Sequence, residues 1–295
     1  MPAAAATATP DTSHASGEPE IEIRVAHSPD SDDAFMFYAL ATGKLPSPGL
    51  RFTHVLADIE SLNRRALDGE FEITAVSFHA YPYLQDRYRL LAHGGSVGYG
   101  YGPMIVARRP MTPSEALRGV VAIAGERTTS ALLLRLFAPE VRTRVVAFDQ
   151  IIPALQRGEA EAGLLIHEGQ LTYASAGLHK VVDLGHWWLE ETGLPAPLGG
   201  NVIRRDLAPE LATRVSGLLK ASIAYGLAHR DEALAHALQY ARDMPADLAD
   251  RFVGMYVNER TMGYSPEDRR AIEHLLRLGH QHGIIPHPPR LDFLE

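Results

Sequence analysis

Cysteine is absent from the 295 residues. Its absence excludes disulfides, thiolate nucleophiles, Cys-ligated zinc and iron–sulfur clusters, and the lipidated Cys that tethers an exported binding protein. Any metal would have to be held by His, Asp and Glu. Long apolar runs are also missing, and no segment approaches the ~18 residues of a membrane span. No block of Lys and Arg interrupts a chain of formal charge -8, which argues against nucleic acid and against an anionic membrane surface as partners. The opening "MPAAAATATPDTSHASGEPE" has neither a basic start nor the ~7 to 15 apolar residues of a signal peptide. Residues 1–20 are therefore expected to form a disordered tail on a soluble, cytoplasmic protein.

What is present is a chain 46% apolar, long enough for one large core or two ordinary domains. From Ile21, short β-branched and aliphatic runs alternate with stretches of helical period, which predicts an α/β protein with mainly parallel sheets. Strands are expected at 21–27, 50–57, 71–78, 104–109, 120–125, 144–148, 162–168 and 201–205. After Arg205 the pattern is helical to the end. A helical end has to cover a sheet, so a first domain interrupted by a second is expected. Pro and Gly place the crossings near 107–113 and 197–205. The division is 21–109 plus 205–295 for the first domain and 110–204 for the second.

Several stretches have residues suited to chemistry. In "IAGERTTSALLLRLF" (123–137) a strand turns at Gly125 into Thr128, Thr129 and Ser130, which open an apolar helix. The unpaired N–H groups and partial positive charge of a helix start suit a carboxylate or phosphate; the plain alternative is an ordinary N-cap. "AVSFHAYPYLQDRY" (75–88) places Ser77 at the carboxyl end of a strand, where ligands of open α/β sheets sit; a capping serine is the alternative. "HSPDSDDAFMFYAL" (27–40) gathers Asp30, Asp32 and Asp33. Their spacing is not that of an EF-hand loop, and the helix dipole favours acids in a first turn without any metal.

"LLIHEGQLTY" (164–173) leaves an apolar strand at His167 and Glu168. It begins like the zinc-protease HExxH, but Leu171 occupies the fifth position and cannot ligate metal. His280, His282 and His287 lie in a Pro-rich end without i, i+4 spacing and are expected to face solvent. No metal is assigned. A strand-end histidine has a structural reading, as a hydrogen-bonded residue. It also has a catalytic one: beside an anion cradle in an interdomain cleft, an imidazole titrating near pH ~6.5 is suited to general base work. Glu168 is a candidate to orient it, although neighbours on a strand point to opposite faces.

The segments "SFHAY" (77–81), "GYGP" (100–103), "RTTSALL" (127–133), "FDQIIPALQRGEAEAGLLIHEGQLTYASAGL" (148–178), "VVDLGHWW" (181–188) and "TGLPAPLGGNVIRRDL" (192–207) resemble the 1,4-dihydroxy-6-naphthoate synthase family of the futalosine route to menaquinone. The likeness runs from about Ile23 to Glu295, and His-Glu-Gly-Gln-Leu-Thr-Tyr is its most specific part. It implies an α/β fold like the periplasmic type 2 solute-binding proteins, with two α/β domains around a cleft. It also implies a lyase that converts cyclic dehypoxanthine futalosine, a small anionic substrate, to 1,4-dihydroxy-6-naphthoate without metal or organic cofactor. By the same resemblance His167 matches the proton acceptor, while Ser77 and the pair Thr129 and Ser130 fall in substrate-binding segments. One stretch departs: where the family commonly reads Ser-Pro-Cys-Pro-Asn-Asp, this chain has Ser28, Pro29, Asp30, Ser31, Asp32 and Asp33. Two other activities fit the same architecture, a solute-binding protein for a small carboxylate and a chorismate dehydratase-like lyase.

Overall fold

A computed structural model describes residues 20–241 and 244–295. The expected tail, all but Glu20, lies outside the described residues. The apolar runs build two sheets. The chain first lays down β1 (Ile21–His27), β2 (Leu50–Leu56), β3 (Ile73–Ser77), β4 (Tyr88–Leu91) and β5 (Ser96–Gly98) in one sheet. It then builds the second from β6 (Met104–Ala107), β7 (Val120–Ile123), β8 (Arg142–Val145), β9 (Ala162–Leu165) and β10 (His179–Asp183). It returns to the first with β11 (Ala196–Arg204) and β12 (Phe293–Leu294). The orders are β12-β4-β11-β3-β1-β2, with β5 also on β11, and β10-β6-β9-β7-β8.

The expectation of mainly parallel sheets holds only within each run of crossover units. β1 is parallel to β2 and β3, and β7 is parallel to β8 and β9. By contrast β11 is antiparallel to β3, β4 and β5, and β6 is antiparallel to β9 and β10. The reversed strands are the two by which the chain enters one sheet from the other, so no helical crossover within the same sheet fixes their direction. They also shift the changeovers. β6 already lies in the second sheet and β11 already in the first. The chain therefore changes sheet at residues 99–103 and again between Asp183 and Ala196, earlier than the 109/110 and 204/205 boundaries expected. The Pro-rich 107–113 stretch instead leads into the capped helix Pro113–Ala116.

Where the crossing segments meet, the backbones nearly touch. A Cβ on Gly185 would stand 2.2 Å from the Tyr101 carbonyl, so only glycine fits there. One apolar cluster joins both sheets through Val76, Phe78, Ile105 and Val121, with Leu132 and Leu133 of helix Thr129–Phe137 and Leu275 of helix Pro266–Gln281. Truncating a fully buried leucine such as Leu133 to Ala should cost ~2–5 kcal/mol. The other face of the first sheet is covered by helices Ser31–Met36, Pro209–Ala228, Arg230–Ala237 and Ala246–Tyr256. The helical C-terminal region thus covers the first sheet, as its amphipathic period predicts. Among the described residues no helix is long and apolar enough to cross a membrane.

Candidate active site

A cavity with about 740 Å³ of space not filled by protein, part of it open to solvent, lies between the two sheets. Ser77, Thr128, Thr129, Ser130 and His167 all line it, so the structure brings the sequence-derived candidates together. Among the described residues that line the cavity, none is Lys or Arg.

His167 reaches the cavity by an unusual backbone. β9 ends at Leu165, not at Glu168, and His167 has φ 52°. Among the described residues no other non-glycine has positive φ. That left-handed conformation is costly for a bulky residue and is tolerated where surrounding contacts enforce it. Here the enforcing contact is Asp30, whose Oδ2 lies 3.0 Å from His167 Nδ1. A carboxylate from the first strand-to-helix turn of the opposite sheet thus faces the ring. Glu168 also contributes charge. Burial alone would favour the neutral ring, but the combined carboxylates of Asp30, Asp32, Glu168 and Asp33 outweigh it and hold the imidazole pKa above its ordinary value.

The acidic turn is buried: Asp30, Asp32 and Asp33 are each less than a tenth exposed. Asp33 Oδ2 accepts from the Ser28 amide at 2.8 Å and its hydroxyl at 2.7 Å. Burial nevertheless raises the Asp33 carboxyl to about 6, Ser28 working the other way. Asp32 is raised well above the carboxylate range, first by burial and then by the charges of Asp33 and Asp30. Beneath this turn His27 is held neutral, burial pushing it down to about 4.

The helix start at Thr128 contributes through its backbone more than through its hydroxyls. Thr128 Oγ1 caps the helix, accepting from Ala131 N at 3.2 Å, and lies 2.8 Å from Ser130 Oγ. Thr129 Oγ1 donates to the Leu198 carbonyl at 2.5 Å and accepts from His79 N at 3.2 Å. The threonine hydroxyls expected to reach a ligand are thus engaged within the protein. The amides of Thr129 and Ser130 open the helix and have no acceptor inside it, the arrangement that suits an anion. Ser77 is fixed by Asn63, whose Oδ1 accepts from Ser77 N at 2.9 Å and whose amide donates to Ser77 Oγ at 3.2 Å.

Three polar residues at the cavity escaped the sequence reading. Gln170 pairs with Tyr256 Oη at 2.9 Å across the cleft. Asn201 donates to the Gly94 carbonyl at 2.9 Å while its buried Oδ1 has no partner. Gln170 lies in the His-Glu-Gly-Gln block and Asn201 follows two glycines, so both had local signals; Tyr256, inside an amphipathic helix, had none. His282 and His287 are exposed, whereas His280 is half-buried against the Ile285 carbonyl at 2.9 Å. Among the described residues no three His, Asp or Glu side chains converge as a metal ion requires.

Comparison with known proteins places this geometry. A family model described as menaquinone biosynthesis matches residues 23–281. A Thermus thermophilus protein named 1,4-dihydroxy-6-naphthoate synthase is 41% identical over 268 residues, covering 91% of this chain and 97% of that one. A crystal structure of an Archaeoglobus fulgidus protein superposes with TM-score 0.85 at 43% identity, covering 92% of this chain and 100% of that one. The alkanesulfonate-binding protein of Xanthomonas axonopodis pv. citri, at 11% identity and TM-score 0.71 over 92% and 96% of the two chains, shares the fold alone. The two α/β lobes around a cleft are therefore those of the solute-binding proteins, and the chain belongs to the 1,4-dihydroxy-6-naphthoate synthase family of menaquinone biosynthesis.

Proposed function

We propose that the protein is a lyase that converts cyclic dehypoxanthine futalosine to 1,4-dihydroxy-6-naphthoate, with His167 as the general base. The observation that carries this reading is the His167–Asp30 contact beside a cavity that the helix start at Thr128 also lines. Because Nδ1 faces the Asp30 carboxylate, the ring proton belongs there, and Nε2 is the nitrogen that takes a proton from substrate. With no Lys or Arg among the described lining residues, the substrate carboxylate is held by the amides of Thr129 and Ser130, near the Thr128 cap and Ser77. The acidic turn repels a carboxylate and so disfavours the reversed orientation. Proton removal next to a carbonyl, or from a hydroxyl, then drives elimination and ring opening, and aromatisation of the product supplies the driving force.

The test is to incubate the purified protein with cyclic dehypoxanthine futalosine and, separately, with chorismate, following product absorbance. Naphthoate formation from the first substrate alone is expected. Turnover of chorismate would assign the dehydratase reaction, and tight binding without turnover would assign a solute-binding role.

A further inference from the structure

We propose that Asn201 positions the substrate by accepting a hydrogen bond from a ring hydroxyl. Its side of the cavity is then the subsite for the hydroxyl-bearing end of the ligand, a role that rests on the proposed naphthoate chemistry. Asn201 is only 2% exposed, and its amide can face one way alone. Nδ2 donates to the Gly94 carbonyl at 2.9 Å; a carbonyl only accepts, so the nitrogen belongs there and Oδ1 on the other side. Gly94 holds that pose closely. A Cβ on it would stand 2.5 Å from Nδ2, and its own amide is tied to the Thr261 carbonyl at 2.7 Å. Oδ1 is left buried without a partner, a costly state for an acceptor until a donor reaches it.

Strand register places this acceptor on the cavity. On β11, Gly199 stands opposite Ser77 and Asn201 opposite Ala75. Side chains two residues apart, and those directly opposite on a paired strand, share a face of the sheet. Asn201, Ala75 and Ser77 therefore look the same way, and all three line the cavity with Gly94 and Gly199. Gly199 has no side chain, which leaves room between Ser77 and Asn201. The helix start that suits a carboxylate meets the same strand at Leu198, where Thr129 Oγ1 donates to the carbonyl. Three residues at ~3.4 Å each put Asn201 about 10 Å farther along. The cavity thus has amide donors toward one end and an unmet acceptor toward the other.

That polarity selects the ligand group at each end. An ionised carboxylate accepts only, whereas a hydroxyl donates as well. The hydroxyl end of a hydroxylated aromatic acid can satisfy Oδ1, and its carboxylate is left to the Thr129 and Ser130 amides. The proposed product, 1,4-dihydroxy-6-naphthoate, carries its hydroxyls on one ring and its carboxylate on the other. Four protein donors that line the cavity are committed elsewhere: Ser28 to Asp33, Thr128 to the Gly125 carbonyl, Thr129 to the Leu198 carbonyl and Gln170 Nε2 to Tyr256. A buried acceptor of this kind discriminates against a ligand that lacks the matching O–H, because binding such a ligand leaves the acceptor unpaired.

The probes are 1,4-dihydroxy-6-naphthoate and 2-naphthoate, the same bicyclic carboxylate without hydroxyls, titrated calorimetrically with air excluded. The wild-type protein is expected to bind the hydroxylated acid ~5- to 100-fold more tightly. In Asn201→Ala that preference should vanish. Loss of the tie to Gly94 weakens both ligands alike and cancels in the comparison. With cyclic dehypoxanthine futalosine, KM of the variant should rise by a similar factor at nearly constant kcat. Equal affinity for the two acids in the wild type, a result that needs no variant, overturns the subsite and leaves the His167 reading standing; so does a preference unchanged in Asn201→Ala. Failure of the underlying reading looks different: the wild type leaves the cyclic substrate untouched or binds neither acid, and the subsite then falls with it.

Discussion

His167 and Asp30 belong to different sheets, yet Nδ1 of one stands 3.0 Å from Oδ2 of the other. The contact joins the lobes and fixes the tautomer in one stroke. It also explains why a histidine accepts φ 52°: the carboxylate lies on the far side of the cleft, and the turn must leave the strand direction to aim the ring at it. The backbone strain is offset by an interaction that exists only when the lobes are together.

The proposed role of His167 as base therefore depends on its neighbour. Because the pKa is raised, kcat/KM is expected to rise with pH through a limb above the ordinary histidine value. Asp30→Asn removes the largest of the charges that raise it, so that limb should move to lower pH. Activity at the plateau should still drop, because an amide no longer dictates which ring nitrogen carries the proton. A pH–rate profile of the variant checks both. His167→Asn, whose side chain tolerates the left-handed region, should keep the fold and lose ~10²- to 10⁴-fold in kcat.

Much of this site was legible in the sequence because the candidate residues that line the cavity sit where strands end, and strand ends are marked by abrupt changes in polarity. His167 after "LLI", Ser77 after "TAV" and Thr128 after "VAIAGER" each follow that rule. What stayed hidden was pairing across the cleft. Nothing near Asp30 in sequence points to a histidine 137 positions later, so the acidic turn read as a dipole-stabilised helix start when the helix is only six residues long. Strand direction was hidden for the same reason: β6 and β11 have ordinary strand composition, and only the other sheet's position reverses them.

Gly125 should control how closely the lobes approach. A Cβ there would meet the Glu60 side chain within 2.5 Å, and Glu60 is nearly buried and accepts from the Arg127 amide at 3.2 Å. Gly125→Ala is expected to displace Glu60 and loosen the turn that carries Thr128. The expected readout is a higher KM, by about tenfold if one such hydrogen bond and its geometry are lost, with thermal stability changed little. Steady-state kinetics with a melting curve separate that from general destabilisation.

Tyr256 and Gln170 offer a second test of closure, since they join the C-terminal helices to the second lobe. Burial holds the phenol protonated far beyond its ordinary range, so it acts as a hydrogen-bonding group and not as an acid. Tyr256→Phe leaves a buried amide short of a partner, at a cost of ~1–3 kcal/mol. Because the pair spans the cleft, the loss should fall on ligand binding, raising KM ~5- to 100-fold at nearly constant kcat. Small-angle scattering should show the variant more open at subsaturating ligand.

Stability in acid should be governed by histidines that the fold keeps neutral. Burial lowers His27, His79 and His93 to about 4 from 6.5. Between those values the unfolded chain takes up protons that the folded one refuses, so each contributes stability at neutral pH that is lost as pH falls below about 6.5 toward 4. Asp33 works the other way, since its raised carboxyl is protonated in the folded state between 3.8 and about 6 while the unfolded one is ionised. His54 is lowered to about 4 as well, and Asp32 is raised like Asp33, so four histidines stand against two carboxyls and dominate between pH 6 and 5. Urea unfolding should accordingly show stability falling over that interval. His93→Gln, which keeps an amide near the Ser216 hydroxyl now 3.0 Å from Nε2, should reduce the slope by up to one proton, ~1.4 kcal/mol per pH unit. A slope unchanged in the variant would mean that His93 is already charged in the folded protein.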